Sequence, residues 1–182
     1  MTTERKVIVY IASSLDGYIA KPNDDLSFLS IVQNEEEDYG YADFVSTVDT
    51  VIMGRRTYDW IMKQVPVFPH ADTNTYIITR TPRPATGKTN FYSGNLKDLI
   101  SHLRNEPGKN IFVDGGAKIV NALLNDQLID ELIISIIPVL LGNGIRLFND
   151  GRPEQNLKLL GVKYFDSGLV QLHYKFLKAT TE

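Results

Sequence analysis

The chain has 182 residues, 43% of them hydrophobic, a formal charge of −3 and no cysteine. That length and apolar content suit one domain, expected over residues 1–182, with a sizeable core. The acidic balance argues against a nucleic-acid face, and the lack of cysteine excludes disulfides, thiolate nucleophiles and Cys-ligated zinc.

Residues 1–6 show no signal-peptide pattern and lead into a β-branched run, 6–13 (KVIVYIAS), expected as a central strand covered on both faces. Leu15-Asp16-Gly17 breaks it with a turn, 21–25 (KPNDD) reads as a loop, and 26–32 as a short helix. A longer helix is expected over 35–47, with acidic residues in its first turn. Residues 50–53 form a strand and 57–64 a helix, and a proline-punctuated loop follows over 65–74. Strands are predicted over 75–79 and 91–93, then a helix over 95–105 with Leu96, Leu99, Ile100 and Leu103 at helical spacing. Residues 110–113, 116–125 and 131–139 give a further strand, helix and strand. The apolar run 132–141 is too short to span a bilayer, and it reads as a buried strand. Residues 157–165 and 169–177 flank Asp166-Ser167-Gly168 and read as a hairpin. This alternation describes an α/β protein with a largely parallel sheet and an antiparallel C-terminal edge.

Two stretches carry the functional signal, Val51-Ile52-Met53-Gly54-Arg55-Arg56-Thr57-Tyr58 and Val113-Asp114-Gly115-Gly116-Ala117-Lys118. In each, an apolar strand meets glycine where a helix should start, with basic or hydroxyl side chains just beyond. Free N–H groups at a helix start, the helix dipole and the absence of a Cβ together suit a phosphate. Two such junctions point to a ligand with more than one phosphate, a dinucleotide above all. Either junction alone reads more readily as a structural turn. Arg55 and Arg56 are consecutive at a helix start and are expected to diverge, only one of them meeting the ligand.

In order along the chain, Ser14-Leu15-Asp16-Gly17-Tyr18-Ile19-Ala20, Met53-Gly54-Arg55-Arg56-Thr57-Tyr58, Val113-Asp114-Gly115-Gly116-Ala117, Leu128-Ile129-Asp130-Glu131-Leu132 and Pro138-Val139-Leu140-Leu141-Gly142-Asn143-Gly144 resemble the dihydrofolate reductase-like superfamily. Within it they look most like the reductase domain of riboflavin biosynthesis and its stand-alone bacterial relatives. The resemblance implies a three-layer α/β/α fold and an NADPH site. Gly54, Arg55 and Thr57 would face the pyrophosphate, Gly115, Gly116, Ala117 and Lys118 a second phosphate-facing helix start, and Thr79 with Arg80 the 2′-phosphate. The backbone of Ala12 and Ile19 would bracket the nicotinamide, and relatives often join the two glycines by a cis peptide. Asp25 falls where dihydrofolate reductases carry their substrate-binding acid, so it is the candidate catalytic residue, anchoring a pterin- or pyrimidine-like ring and assisting its protonation. Asp24 and Asp25 also read as loop or N-cap residues. Asp16 reads either as a turn residue bonding its own backbone or as a substrate contact.

His70, His102 and His173 do not share a metal-ligand spacing, and no metal is expected. Folate reduction is disfavoured, because residues 69–76 offer no arginine or lysine for a glutamate tail. A phosphoribosyl substrate would draw on Lys21, Arg146 or Arg152, which nothing in the sequence aims at one point. The expectation is therefore an NADPH-dependent reductase of a small heterocyclic or sugar-linked substrate, resembling 5-amino-6-(5-phosphoribosylamino)uracil reductase. The alternatives are dihydrofolate reductase activity and a non-catalytic nucleotide-binding module. The expected setting is cytoplasmic, as a homodimer through its apolar C-terminal strands, with a small-molecule substrate and neither nucleic acid nor membrane as partner.

Overall fold

The computed structural model describes residues 4–177. Its strands are β1 (Val7–Ser14), β2 (Tyr18–Ala20), β3 (Val48–Gly54), β4 (Asn74–Ile78), β5 (Thr89–Tyr92), β6 (Asn110–Gly115), β7 (Glu131–Ile137), β8 (Ile145–Arg146), β9 (Leu157–Tyr164) and β10 (Val170–Phe176). Its α-helices are α1 (Tyr41–Ser46), α2 (Arg55–Gln64), α3 (Leu96–Asn105) and α4 (Ala117–Asn125). Eight strands form one sheet in the order β5-β4-β3-β6-β1-β7-β10-β9. The pairs from β5 to β7 are all parallel, while β10 runs antiparallel to both β7 and β9.

The β-branched content of β1 suits its central place, and its alternate residues enter different cores. Val7 and Val9 join α3 and α4 through Ile100, Leu103, Val120 and Leu123. On the opposite face Ile8 joins Phe44 of α1, with Tyr58 and Ile61 of α2 packed against it. Helices thus cover both faces of a mostly parallel sheet, the three-layer arrangement that near-continuous apolar strands require. Leu103 and Leu123 are at most 2% exposed, and truncating either to Ala is expected to cost about 2–5 kcal/mol.

Most predicted elements are present with shifts of a residue or two. The exception is the helix expected over 35–47, of which only α1 is helical. Tyr39 and Gly40 have φ of 58° and 80°, and left-handed residues cannot continue a right-handed helix. The Asp38 carboxylate instead accepts from Gly40 N at 2.8 Å and Ala42 N at 2.9 Å, starting the helix later. Residues 27–32 form a 3-10 rather than an α turn, and α2 starts at Arg55, two residues earlier than the expected helix. The small β2–β8 sheet was not among the predicted elements.

At the N-terminal end of the parallel strands, Arg5 is 5% exposed. It pairs with Asp49 and donates to Thr50 Oγ1 (2.7 Å), Leu103 O (2.9 Å) and Lys109 O (2.7 Å). Such a fully engaged guanidinium fastens β3, α3 and the approach to β6 on the side away from the candidate site.

Candidate functional site

The site is built at the C-terminal ends of the parallel strands, where open α/β sheets place their ligand crevices. There β3 and β6 lie side by side, with Met53 in register with Gly115, so the two glycine junctions, distant in sequence, converge. A Cβ on Gly54 would stand 3.3 Å from Ile119 Cγ1 and 3.9 Å from Gly116 N. One on Gly116 would stand 3.2 Å from the Thr57 hydroxyl. Gly54 is the N-cap of α2 and Gly116 that of α4, and neither helix has a side-chain cap. By contrast, α3 is capped by its own Asn95, which accepts from Lys97 N at 2.8 Å. The first-turn N–H groups of α2 and α4 thus meet no side-chain cap, and no Cβ on the capping residue shields them. The Gly115–Gly116 peptide is cis.

Around these junctions the predicted cofactor residues fall into distinct settings. Ala117 is buried, and Lys118 beside it is exposed. Arg55 Nε donates to Asp59 at 3.1 Å, and Arg56 Nε to Asp24 at 2.7 Å. The two side chains turn to different carboxylates, as consecutive residues at a helix start should, while both border one cavity of ≈ 310 Å³ with Asp59, Trp60 and Lys63. Arg80 is exposed just past β4. The Thr79 hydroxyl, expected to share a phosphate with Arg80, is turned inward. It accepts from Thr81 N at 3.1 Å and donates to Thr81 O at 3.3 Å. The neighbouring turn uses both its hydrogen-bonding capacities, so of that pair Arg80 alone is presented.

On the α1–α2 side of the sheet lies a cleft of ≈ 730 Å³. Tyr10, Tyr39, Tyr41 and Trp60 give it aromatic walls, and Ala12 of β1 and Ile137 of β7 line it below. Ile19, paired with Ala12 in the sequence reading, packs its side chain against the other core layer. The cleft floor is tied by Gln171, whose amide donates to Tyr10 Oη (2.9 Å) and Ser135 Oγ (3.1 Å). Burial pushes the Tyr10 hydroxyl above its ordinary value despite those bonds.

Asp25 lines the cleft as well. Its carboxylate accepts from Ser27 N at 2.7 Å and Ser27 Oγ at 3.2 Å, with Lys21 Nζ at 3.9 Å. The Ser27 amide first, then the Ser27 hydroxyl and Lys21, hold its pKa below the usual carboxylate value. An exposed acid stabilised as the anion accepts hydrogen bonds well and donates a proton poorly, which favours the acceptor half of the role expected of Asp25.

Asp16 acts at longer range than a turn residue. It accepts from Leu141 N (3.1 Å), Gly142 N (2.7 Å) and Ser14 Oγ, clasping the turn after β1 to the loop after β7. The Ser14 hydroxyl, then the Gly142 and Leu141 amides, lower its pKa to about 2. Gly144 completes the fit, because a Cβ there would lie 2.1 Å from Ala20 O. Two of the motifs noted in the sequence are therefore one structural unit beside the cleft.

The sequence reading missed one pair. His70, 7% exposed, places Nε2 3.5 Å from Asp114 Oδ2 at the end of β6. Burial first, and then the Asp114 charge, raise the pKa of Tyr41 on the cleft wall. Asp114 stood directly before the singled-out Gly115-Gly116, so its position was the available signal. His70 comes from an irregular loop whose docking no pattern announced. Among the described residues no three His, Asp or Glu side chains group to hold a metal, and no helix is long and apolar enough to cross a membrane.

Residues 5–171 match the family model described as the RibD C-terminal domain. The chain is 43% identical over 172 residues to the uncharacterized protein YwjB of Bacillus subtilis (strain 168), covering 94% of this chain and 98% of YwjB. A crystal structure from Shewanella sp. PV-4, of a protein whose name points to riboflavin biosynthesis, superposes with a TM-score of 0.86 at 29% identity, over 95% of this chain and 99% of its own. A Thermotoga maritima diaminohydroxyphosphoribosylaminopyrimidine deaminase/5-amino-6-(5-phosphoribosylamino)uracil reductase shares the fold, with a TM-score of 0.71 at 14% identity. That match covers 96% of this chain and 57% of the longer protein.

Proposed function

This chain belongs to the RibD C-terminal domain family, and from that premise we propose that it is an NADPH-dependent reductase of a C=N or C=O bond in a small heterocyclic or sugar-linked substrate. The observation that carries the reading is the convergence of two uncapped, glycine-headed helix starts, Gly54 before α2 and Gly116 before α4, on neighbouring strands. Paired N–H clusters without a Cβ at their entrance suit a pyrophosphate, and the residues present fit that group. Gly54, Thr57, Gly115, Gly116 and Ala117 would hold it, with Arg55 and Lys118 at its rim and Arg80 toward a 2′-phosphate.

When bound, NADPH supplies a hydride. The remaining work belongs to the cleft. Ala12 borders the space where a ring would meet the nicotinamide, and the aromatic side chains around it exclude water and offer stacking surfaces. Asp25 is the catalytic candidate as an ionised acceptor, taking an N–H from the substrate ring and leaving water to deliver the proton. Asp25→Asn should lower turnover while leaving cofactor affinity unchanged.

Titrating the protein with NADPH and NADH, followed by fluorescence of Trp60, its one tryptophan, tests the reading. Micromolar NADPH binding with much weaker NADH binding is expected. Binding of neither would sink it.

The exposed apolar side chains of edge strand β9, among them Leu159, Leu160 and Val162 at 45–52% exposure, support a homodimer through this edge. Sedimentation velocity showing only monomer at micromolar concentration would count against that.

A further inference from the structure

Charge divides sharply between the two halves of the proposed site. From Pro22 to Gly54 the chain carries eight carboxylates and no Lys, Arg or His, and this segment builds one wall of the cleft. Asp24, Asp25 and Asp38 reach its lining, and among the described lining residues there is no Lys, Arg or His. Asp38 and Asp25 are both held ionised, Asp38 first by the Ala42 and Gly40 amides and Asp25 first by Ser27.

The cations that could have met a phosphoribosyl group are already engaged, those nearest the cleft with its own carboxylates and hydroxyls. At the cleft edge Lys21 donates to Ser27 Oγ at 2.8 Å and lies 3.9 Å from Asp25, and the charge of Lys163 acts on Asp38. Arg146 lies over the Tyr18 ring at 5.3 Å, and Arg152 lies over Phe148 at 5.2 Å. Arg55, Arg56 and Lys63 gather around the smaller cavity on the α2 side, and Arg56 is tied to Asp24. A phosphate dianion entering the cleft would lose water, would meet carboxylates of its own sign, and would have to displace Asp24, Asp25 or Asp38 from the cations they already hold. A flat ring with N–H donors meets aromatic walls and ionised acceptors instead.

We infer that the cleft takes an unphosphorylated, neutral or cationic planar heterocycle, and that phosphate recognition is confined to the cofactor side. The inference rests on the reductase reading for its division into two sites. It separates this chain from the Thermotoga relative, whose name specifies a phosphoribosylamino substrate.

Calorimetry on the full chain, with and without saturating NADP⁺, tests it with three matched pairs: riboflavin and FMN, uridine and UMP, cytidine and CMP. 2,4-Diaminopyrimidine serves as a cationic ring. At least one unphosphorylated ring is expected to bind, and its phosphate ester to bind at least about tenfold more weakly. Gln64→Lys, which places a cation in the lining next to Trp60, should narrow that gap. An ester binding as tightly as its parent, a gap unchanged in Gln64→Lys, or no binding by any ring would each overturn the inference. The cofactor titration on the same preparation keeps the two readings apart. NADPH binding with reversed ring selectivity refutes the charge argument alone, whereas selective ring binding without NADPH binding refutes the reductase reading alone.

Discussion

Gly116→Ala puts the convergence of the two junctions to a direct test. Gly116 has φ −81°, which an L residue adopts without strain, so the backbone tolerates a side chain. The new methyl would stand 3.2 Å from Thr57 Oγ1, a side-chain atom that can shift by a few tenths of an ångström. The cost to folding should therefore be about 1 kcal/mol or less, near that of losing a good N-cap residue. The same methyl would sit on the N-cap residue of α4, at the junction where the account brings a phosphate oxygen close. Losing one charge-assisted hydrogen bond costs about 1.5–3 kcal/mol, or roughly 10–150-fold in affinity. Calorimetric titration with NADPH gives the affinity, and urea denaturation of the same samples gives the stability. Wild-type affinity in a stably folded Gly116→Ala protein would show that no phosphate comes near this junction.

Arg80→Ala, at an exposed position, should leave stability within about 0.5 kcal/mol while weakening NADPH about tenfold and NADH hardly at all. Equal effects on both cofactors would dissociate Arg80 from the 2′-phosphate. Arg5→Ala removes a 5%-exposed guanidinium from Asp49, Thr50 and two carbonyls, and should cost about 3–5 kcal/mol by chemical denaturation. A loss below about 1 kcal/mol would contradict the role given to that cluster. The Asp16 clasp carries a pH dependence of defined sign. Its folded pKa, about 2, lies below the ordinary 3.8, so its contribution is complete above 3.8 and fades as pH falls through about 2. Protection of the Leu141 and Gly142 amides, taken relative to intrinsic exchange at each pH, should fall across that acid window in the wild type and be lower at neutral pH in Asp16→Ala. Protection unchanged through the window at both amides would rule out the clasp.

What was legible in the sequence was what short-range chemistry encodes. The β-branched runs of β1, β3, β6 and β7 demanded burial on two faces, and a mostly parallel sheet follows from that. Gly54 and Gly116 marked strand-to-helix junctions, but only the register of β3 against β6 shows that the two meet. The failures involve partners distant in sequence or local backbone choices. The acidic 35–38 run looked like a helix start, yet Tyr39 and Gly40 turn left-handed and the carboxylate of Asp38 caps a later helix. Asp16 read as a turn residue or a substrate contact, because the Leu141 and Gly142 amides it holds follow β7, far along the chain. Thr79 had the right chemistry for a phosphate and the wrong orientation, since Thr81 satisfies its hydroxyl. His70 reaches Asp114 through a loop that has no periodicity to read.

A crystal structure of the protein with NADPH bound would test the central claim most directly. The account predicts the pyrophosphate between the glycine-headed starts of α2 and α4, the adenosine end toward Arg80, and the nicotinamide entering the aromatic cleft beside Ala12. A cofactor seated with its pyrophosphate away from both Gly54 and Gly116 would contradict it.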